Sequence, residues 1–339
     1  MDDLLLISEV FRFPRKKYYW QMKFLSPRIY LFNWQKKQII KKMMVPPAYF
    51  DREEYRPLRL CYHYSGARGI ASNDKHIFIA LQNAVLVYDR ELRKQVGRID
   101  HRLFNGIHEI VWHRDRLYVT CAATDSVLAM SEAGRELNAF YLGSDKFLLD
   151  IFHLDGRDLD NRLDYRIMHR TQRLFHVNNI DVRGEMVYVN LNRQGGFVMI
   201  SPRRQVIIHD PSLLQSHNGQ FSPDGRHILI LDTGHNALRV YDPLGMPVKT
   251  IDFCQFPLPV DFAEKRFFGQ HHDIKAGWLR GLAFSGADKE IVYVGFSPTM
   301  VAAVNYMQGK FIDCFQFRRE IGICVHGLHN LSAASSSIS

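Results

Sequence analysis

A chain of 339 residues, 46% hydrophobic and 23% charged, has the composition of a soluble globular protein with a full core. Its five cysteines (Cys61, Cys121, Cys254, Cys314, Cys324) are widely spaced and include no C-x-x-C pair, which argues against a disulfide framework and a thiolate zinc knuckle. No stretch approaches the roughly 18 uninterrupted apolar residues of a membrane span, and the acidic start before Leu4–Ile7 lacks the basic flank of a secretory signal, so a cytoplasmic protein with no membrane span is expected.

In chain order, Leu4–Ile7, Arg28–Phe32 and Gln38–Ile40 are short strand-like runs with no opening strand before them. Basic clusters at Arg15-Lys16-Lys17, Lys36-Lys37 and Lys41-Lys42 contribute to a net charge of +9. Such a face attracts phosphates, nucleic acid or acidic partners, but lysines on an outer strand also block edge-to-edge pairing. From Arg68 onward one cadence repeats. Arg68-Gly-Ile70 leads to His76–Ala80 and Ala84–Asp89, and His108-Glu-Ile110 to Arg116–Thr120 and Asp125–Met130. Asn178-Asn-Ile180 leads to Met186–Asn190 and Gly196–Ile200, and Arg280–Phe284 to Ile291–Gly295 and Val301–Val304. The fullest unit, residues 216–251, shows four short strands separated by the turns Pro223-Asp-Gly225, Asp232-Thr-Gly234 and Asp242-Pro-Leu-Gly245.

Four-stranded meanders at this spacing are the blades of a β-propeller, whose common repeats run about 40–50 residues. The intervals from His108 to Asn178 and from His217 to Arg280 are longer, which predicts insertions at about 144–175 and 252–277. The last opening, His326-Gly-Leu-His-Asn330, has nothing after it but a Ser-rich tail. Its continuation is the set of three N-terminal runs. The expected fold is therefore all-β: a six-bladed propeller spanning 1–331, closed by pairing of the C-terminal strand with N-terminal strands, with a flexible tail at 332–339.

The unit His227-Ile-Leu-Ile-Leu-Asp-Thr-Gly-His-Asn-Ala-Leu-Arg-Val-Tyr-Asp-Pro-Leu-Gly245 resembles the repeat of the NHL family of propellers, and Asn83–Asp89 resembles it more loosely. Gly277–Phe284 with Val292–Ser297 also resembles a bacterial propeller family of unassigned function. NHL-like propellers include RNA- and protein-binding platforms, lyases and lactonases, so the resemblance implies a fold and leaves the chemistry open.

Aligned blade openings place one polar residue per blade beside the axis: His326, Arg68, His108, Asn178, His217 and Arg280. Three histidines on alternate blades suit a divalent metal such as zinc, with three nitrogens and an open fourth position. Arg68 and Arg280 between them suit an anionic substrate. The ring resembles that of the peptidylglycine amidating lyase. The resemblance implies His108, His217 and His326 as metal ligands and Arg68 and Arg280, with Asn178, around a small anionic substrate of a lyase, hydrolase or epimerase. Polar residues also line propeller channels that bind nothing, and a non-catalytic platform for RNA or a protein partner remains the alternative. His176, two before Asn178, is a candidate fourth ligand or mouth residue; His329, Trp34 and Trp278 read as core or rim. Glu109 and Asp181 are candidates to orient a ring histidine, and His271-His272-Asp273 to cap the channel.

Overall fold

The computed structural model describes residues 2–11, 27–45, 66–160, 162–167, 174–262, 265–267, 273–320 and 322–334. Among these, the strands form six four-stranded antiparallel sheets and one two-stranded hairpin. Five sheets use consecutive strands. They run from Ile70–Ser72 to Gln95–Ile99, from Ile107–His113 to Glu136–Tyr141, from Val177–Arg183 to Gln205–His209, from Ser216–Phe221 to Pro247–Asp252, and from Leu282–Phe284 to Lys310–Gln316. The sixth orders Ile323–Asn330, Leu4–Phe11, Arg28–Asn33 and Gln38–Met44, so the expected blade shared by the two ends of the chain is present.

Six apolar clusters fill the seams between neighbouring blades. Strand alternation makes this possible. In His76–Ala80, Ile77 and Ile79 face Leu6 and Ile29 of the shared blade, while Phe78 and Ala80 face Ile107, Ile110 and Val119 of the next. Phe78 also stacks on Trp112, centroids 5.1 Å apart. Because both faces of an inner strand are buried, these strands read as continuous apolar runs. Close approach between blades also selects turn residues: Gly245 has φ +86°, and a Cβ there would lie 1.9 Å from the carbonyl oxygen of Ile207.

Closure rests on the first ten residues. Leu5, Leu6 and Ile7 are fully buried, worth about 1.5–3 kcal/mol each. The buried Asp3 carboxylate accepts hydrogen bonds from Ser285 Oγ (2.6 Å), Tyr293 OH (2.7 Å), Asn330 Nδ2 (2.7 Å) and the Gly286 amide (2.8 Å). Burial pulls its pKa up, but these donors outweigh it and hold Asp3 below the usual carboxylate range. Glu9, also buried, pairs with Arg318 (3.2 Å) and accepts from Thr299 Oγ1 (2.8 Å). One short N-terminal strand is thereby tied to the last two blades.

Among the described residues, neither insertion adds a blade. The first carries the helix Lys146–Phe152 and short 3-10 turns at Leu142–Ser144 and Tyr165–Ile167. The second carries a 3-10 turn at Phe253–Gln255 and the hairpin of Lys265–Phe267 with Asp273–Lys275; His271 and His272 lie outside the described residues. After Asn330 the chain forms a helical turn, Leu331–Ala334, where Ser332 Oγ bonds the Asp2 carbonyl (2.9 Å). Cys121 and Cys324 are buried, Cys314 half-buried and Cys254 exposed; Cys61 lies outside the described residues.

Candidate functional site at the propeller axis

The chain approaches the axis through the same turn in five blades. Two positions before the ring residue the backbone is left-handed: Gly66 (φ 88°), Gly106 (66°), His176 (54°), Gln215 (55°) and Trp278 (58°). Glycine adopts this conformation freely, whereas a bulky residue does so under strain, and such positions concentrate at functional sites. Bulges then interrupt the inner strands between Ile107 and Ile110, Val177 and Asn179, and His217 and Gln220. A bulge re-aims the side chains it carries.

The three ring histidines meet although they come from alternate blades. The His108 ring lies 5.2 Å from that of His326 and 6.0 Å from that of His217, centroid to centroid. His176 joins them: its Nε2 is 3.2 Å from His108 Nε2. Asp125 places it, because its buried carboxylate accepts the amides of Leu174 (2.6 Å), Phe175 (3.3 Å) and His176 (2.7 Å). Arg280 Nη1 donates to His326 Nε2 at 2.9 Å, and its guanidinium stacks 3.7 Å from the centre of the Trp278 ring. Arg68 Nη1 donates to the Ile107 carbonyl beside His108 (3.1 Å).

Asn178 occupies its expected position but looks between blades. Its Nδ2 donates to the Ser216 carbonyl (2.6 Å), and its Oδ1 accepts from Asn190 Nδ2 (2.8 Å). In the next layer Glu109 accepts from Asn218 Nδ2 (3.1 Å), and Asn218 Oδ1 accepts from the Gly281 amide (3.0 Å). Asp181 stands elsewhere. It accepts from the Phe221 amide (2.9 Å) and pairs with Arg183, so its bonds tie two blades together rather than orient a histidine. His329 pairs with Ser72 Oγ (2.8 Å), away from the ring.

Burial holds the imidazoles of His108, His217 and His326 neutral, with pKa values well below the usual 6.5. The Arg280 guanidinium pushes all three down further, and Arg68 does so for His108 and His326. Glu109 moves the other way: burial pushes its carboxyl up to about 8. Hydrogen-bond partners also determine where the imidazole protons sit. His217 Nδ1 faces the Gln215 carbonyl (2.7 Å), which only accepts, so Nδ1 carries the proton and Nε2 a lone pair. Arg280 only donates, so His326 Nε2 accepts and its proton is on Nδ1. His217 Nε2, His326 Nδ1 and His108 Nδ1 are buried, and none has a hydrogen-bond partner among the described residues.

No protein-family model matches the chain, and no curated protein matches it. Solved structures do. A Bacteroides caccae protein of unknown function superposes with a TM-score of 0.57 at 9% identity, over 97% of this chain and 99% of the other. A chain of a nidogen/laminin complex gives 0.56 at 12% identity, over 97% and 99%. The β-propeller domain of Myceliophteria thermophila Cps50 (Swd1) gives 0.51 at 10% identity, over 89% of each chain. These likenesses show the fold alone. Fold, strand order and seams agree: the chain is a six-bladed β-propeller. The NHL-type repeat and the lyase-like ring remain likenesses of sequence pattern. Among the described residues, no helix is long and apolar enough to cross a membrane.

Proposed function

We propose that the axial cluster binds a small anionic substrate and that the protein is an enzyme acting on it there. One observation carries this reading: the His108, His217 and His326 rings come together beside Arg68 and Arg280, and each keeps one buried nitrogen without a hydrogen-bond partner among the described residues. A buried polar atom left unsatisfied costs about 1–3 kcal/mol, so three on rings that meet at one axis favour a site completed by a ligand. Guanidiniums supply charge-assisted donors to an anion, and neutral imidazoles beside it can take up and return protons. Proton transfer of that kind is common to the lyase, hydrolase and epimerase classes. Replacing both Arg68 and Arg280 with alanine is expected to weaken binding of small anions by about a hundredfold or more, measured calorimetrically at low salt. Unchanged binding in the double variant would remove the proposal.

A divalent metal is the second reading. Ligands about 2.0 Å from one ion at tetrahedral angles stand roughly 3.3 Å apart, close to the His108–His176 Nε2 separation of 3.2 Å. His217, with Nδ1 held by a carbonyl and a lone pair on Nε2, has the form of an oriented ligand. His326 does not, because Arg280 occupies its Nε2, and among the described residues no group of three His, Cys, Asp or Glu side chains is arranged to hold a metal. A bound metal would polarise a substrate oxygen or acidify a water. Elemental analysis of protein purified without chelator decides: a stoichiometric divalent ion supports this reading, and trace amounts end it.

A platform role would draw instead on the basic surface. Of that surface, Lys37 is paired with Asp313 (2.7 Å) and lies over Trp34, and Lys41 bonds the Leu92 carbonyl (2.6 Å). Arg15, Lys16 and Lys17 lie outside the described residues. These contacts tie lysines to the seams of the shared blade, so the axis carries the stronger functional signal.

A further inference from the structure

The two assigned tautomers make opposite demands on whatever enters the axial site. His326 presents a buried N–H at Nδ1, because its Nε2 accepts from Arg280 Nη1 at 2.9 Å. His217 presents a buried lone pair at Nε2, because its Nδ1 donates to the Gln215 carbonyl at 2.7 Å. Thr233 reinforces that assignment. Its hydroxyl donates to the Leu279 carbonyl (2.8 Å), which leaves its oxygen to accept from His217 Nδ1 at 3.0 Å. An anion that only accepts suits the donors of Arg68, Arg280 and His326 but would place oxygen lone pairs against the lone pair of His217.

We infer that the ligand of the axial site is an oxyanion carrying its own hydrogen-bond donor, of which hydrogen phosphate is the simplest. Its oxygens would accept from the two guanidiniums and His326 Nδ1, and its O–H would donate to His217 Nε2. This inference rests on the anion reading proposed above and narrows it. A site built to receive a ligand O–H rejects the analogue that lacks one, because its own buried acceptor is then left without a partner.

Two pairs of near-isosteric ions isolate the donor. Phosphate and sulfate are both tetrahedral, and at pH 7.5 most phosphate carries one proton while sulfate carries none; bicarbonate and nitrate make the same comparison for planar ions. Calorimetric titration of the full chain is expected to show phosphate bound at least about tenfold more tightly than sulfate, or bicarbonate more tightly than nitrate by a similar factor. A preference within the tetrahedral pair assigns a hydrogen-phosphate-type ligand, and one within the planar pair a planar oxyanion that carries its own hydroxyl, as bicarbonate does. His217→Ala, which removes the acceptor, is expected to shrink the preference several-fold by weakening the protonated ion while leaving its partner nearly unchanged. Equal affinities within both pairs would overturn the inference and leave the anion reading standing. Binding of none of the four ions would remove both. The wild-type comparison does not depend on the variant folding.

Discussion

A chain ending at residue 322 is expected to lose cooperative folding altogether. The missing strand, Ile323–Asn330, is the innermost of the shared blade and pairs along its length with Leu4–Phe11. Ile323, Cys324 and Val325 are fully buried and Leu328 nearly so. At about 1.5–3 kcal/mol per large apolar side chain, their removal costs about as much as the 5–15 kcal/mol net stability of a typical domain. The loss extends past the strand itself. Without Asn330, Asp3 keeps its burial and loses a donor, and Leu5 and Ile7, buried against Tyr293 and Val301, lose the sheet that holds them there. Leu4–Phe11 becomes an unpaired edge, open to aggregation. Thermal melts followed by circular dichroism check this. A truncated chain that melts cooperatively near the full-length temperature would refute closure by this strand. His326→Ala, which leaves the strand intact, is expected to keep the fold, separating the strand's structural role from its histidine's.

Acidification below pH 6.5 is expected to destabilise the protein steeply. His108, His217 and His326 remain neutral in the folded state, whereas in the unfolded chain they protonate near 6.5. Between the depressed folded pKa values and 6.5 the unfolded state binds more protons, so stability rises with pH and falls as pH falls. Each histidine contributes at most about 1.4 kcal/mol per pH unit, so the three reach about 4. Glu109 opposes them. Its folded carboxyl, at about 8 against 4.5 unfolded, binds more protons than the unfolded one between those values, so stability rises as pH falls there. That returns about 1.4 kcal/mol per unit, leaving these four groups a net slope of up to about 3 below pH 6.5. His329, pushed down to about 4 chiefly by burial, acts in the same direction as the ring histidines. Urea unfolding at pH 7.5 and 5.5 measures the slope, and a flat profile would show that these imidazoles are not buried neutral. Saturating anion is expected to stabilise the folded state at both pH values.

Much of the architecture was legible because it is local. The turns Pro223-Asp-Gly225 and Asp242-Pro-Leu-Gly245 mark strand ends, and runs such as His76–Ala80 carry apolar residues on both faces, as a strand buried between two blades requires. The shared blade followed from counting strands: an opening at His326 with no continuation, and three N-terminal strands with no opening. The candidate ring positions came from the same repeat, which puts equivalent positions at one radius. His176, Gln215 and Trp278 were harder to place, because a left-handed turn announces itself when glycine makes it, as at Gly66 and Gly106, and not when other residues do. Asn178 has the right position and polarity, yet its amide is spent on Ser216 and Asn190, partners contributed by another blade and another strand.

Local periodicity and turn chemistry in the sequence thus determined the blades and their closure, and nominated candidates for the axial ring. Only the tertiary structure decided what that ring is chemically. The charge of an imidazole depends on how completely it is desolvated and which cations stand beside it, and its tautomer on which partner reaches which nitrogen. Those partners, Arg280 for His326 and Arg68 for His108, come from neighbouring blades. Bringing them within a few ångströms is the work of the folded ring and leaves no mark on the spacing of residues along the chain.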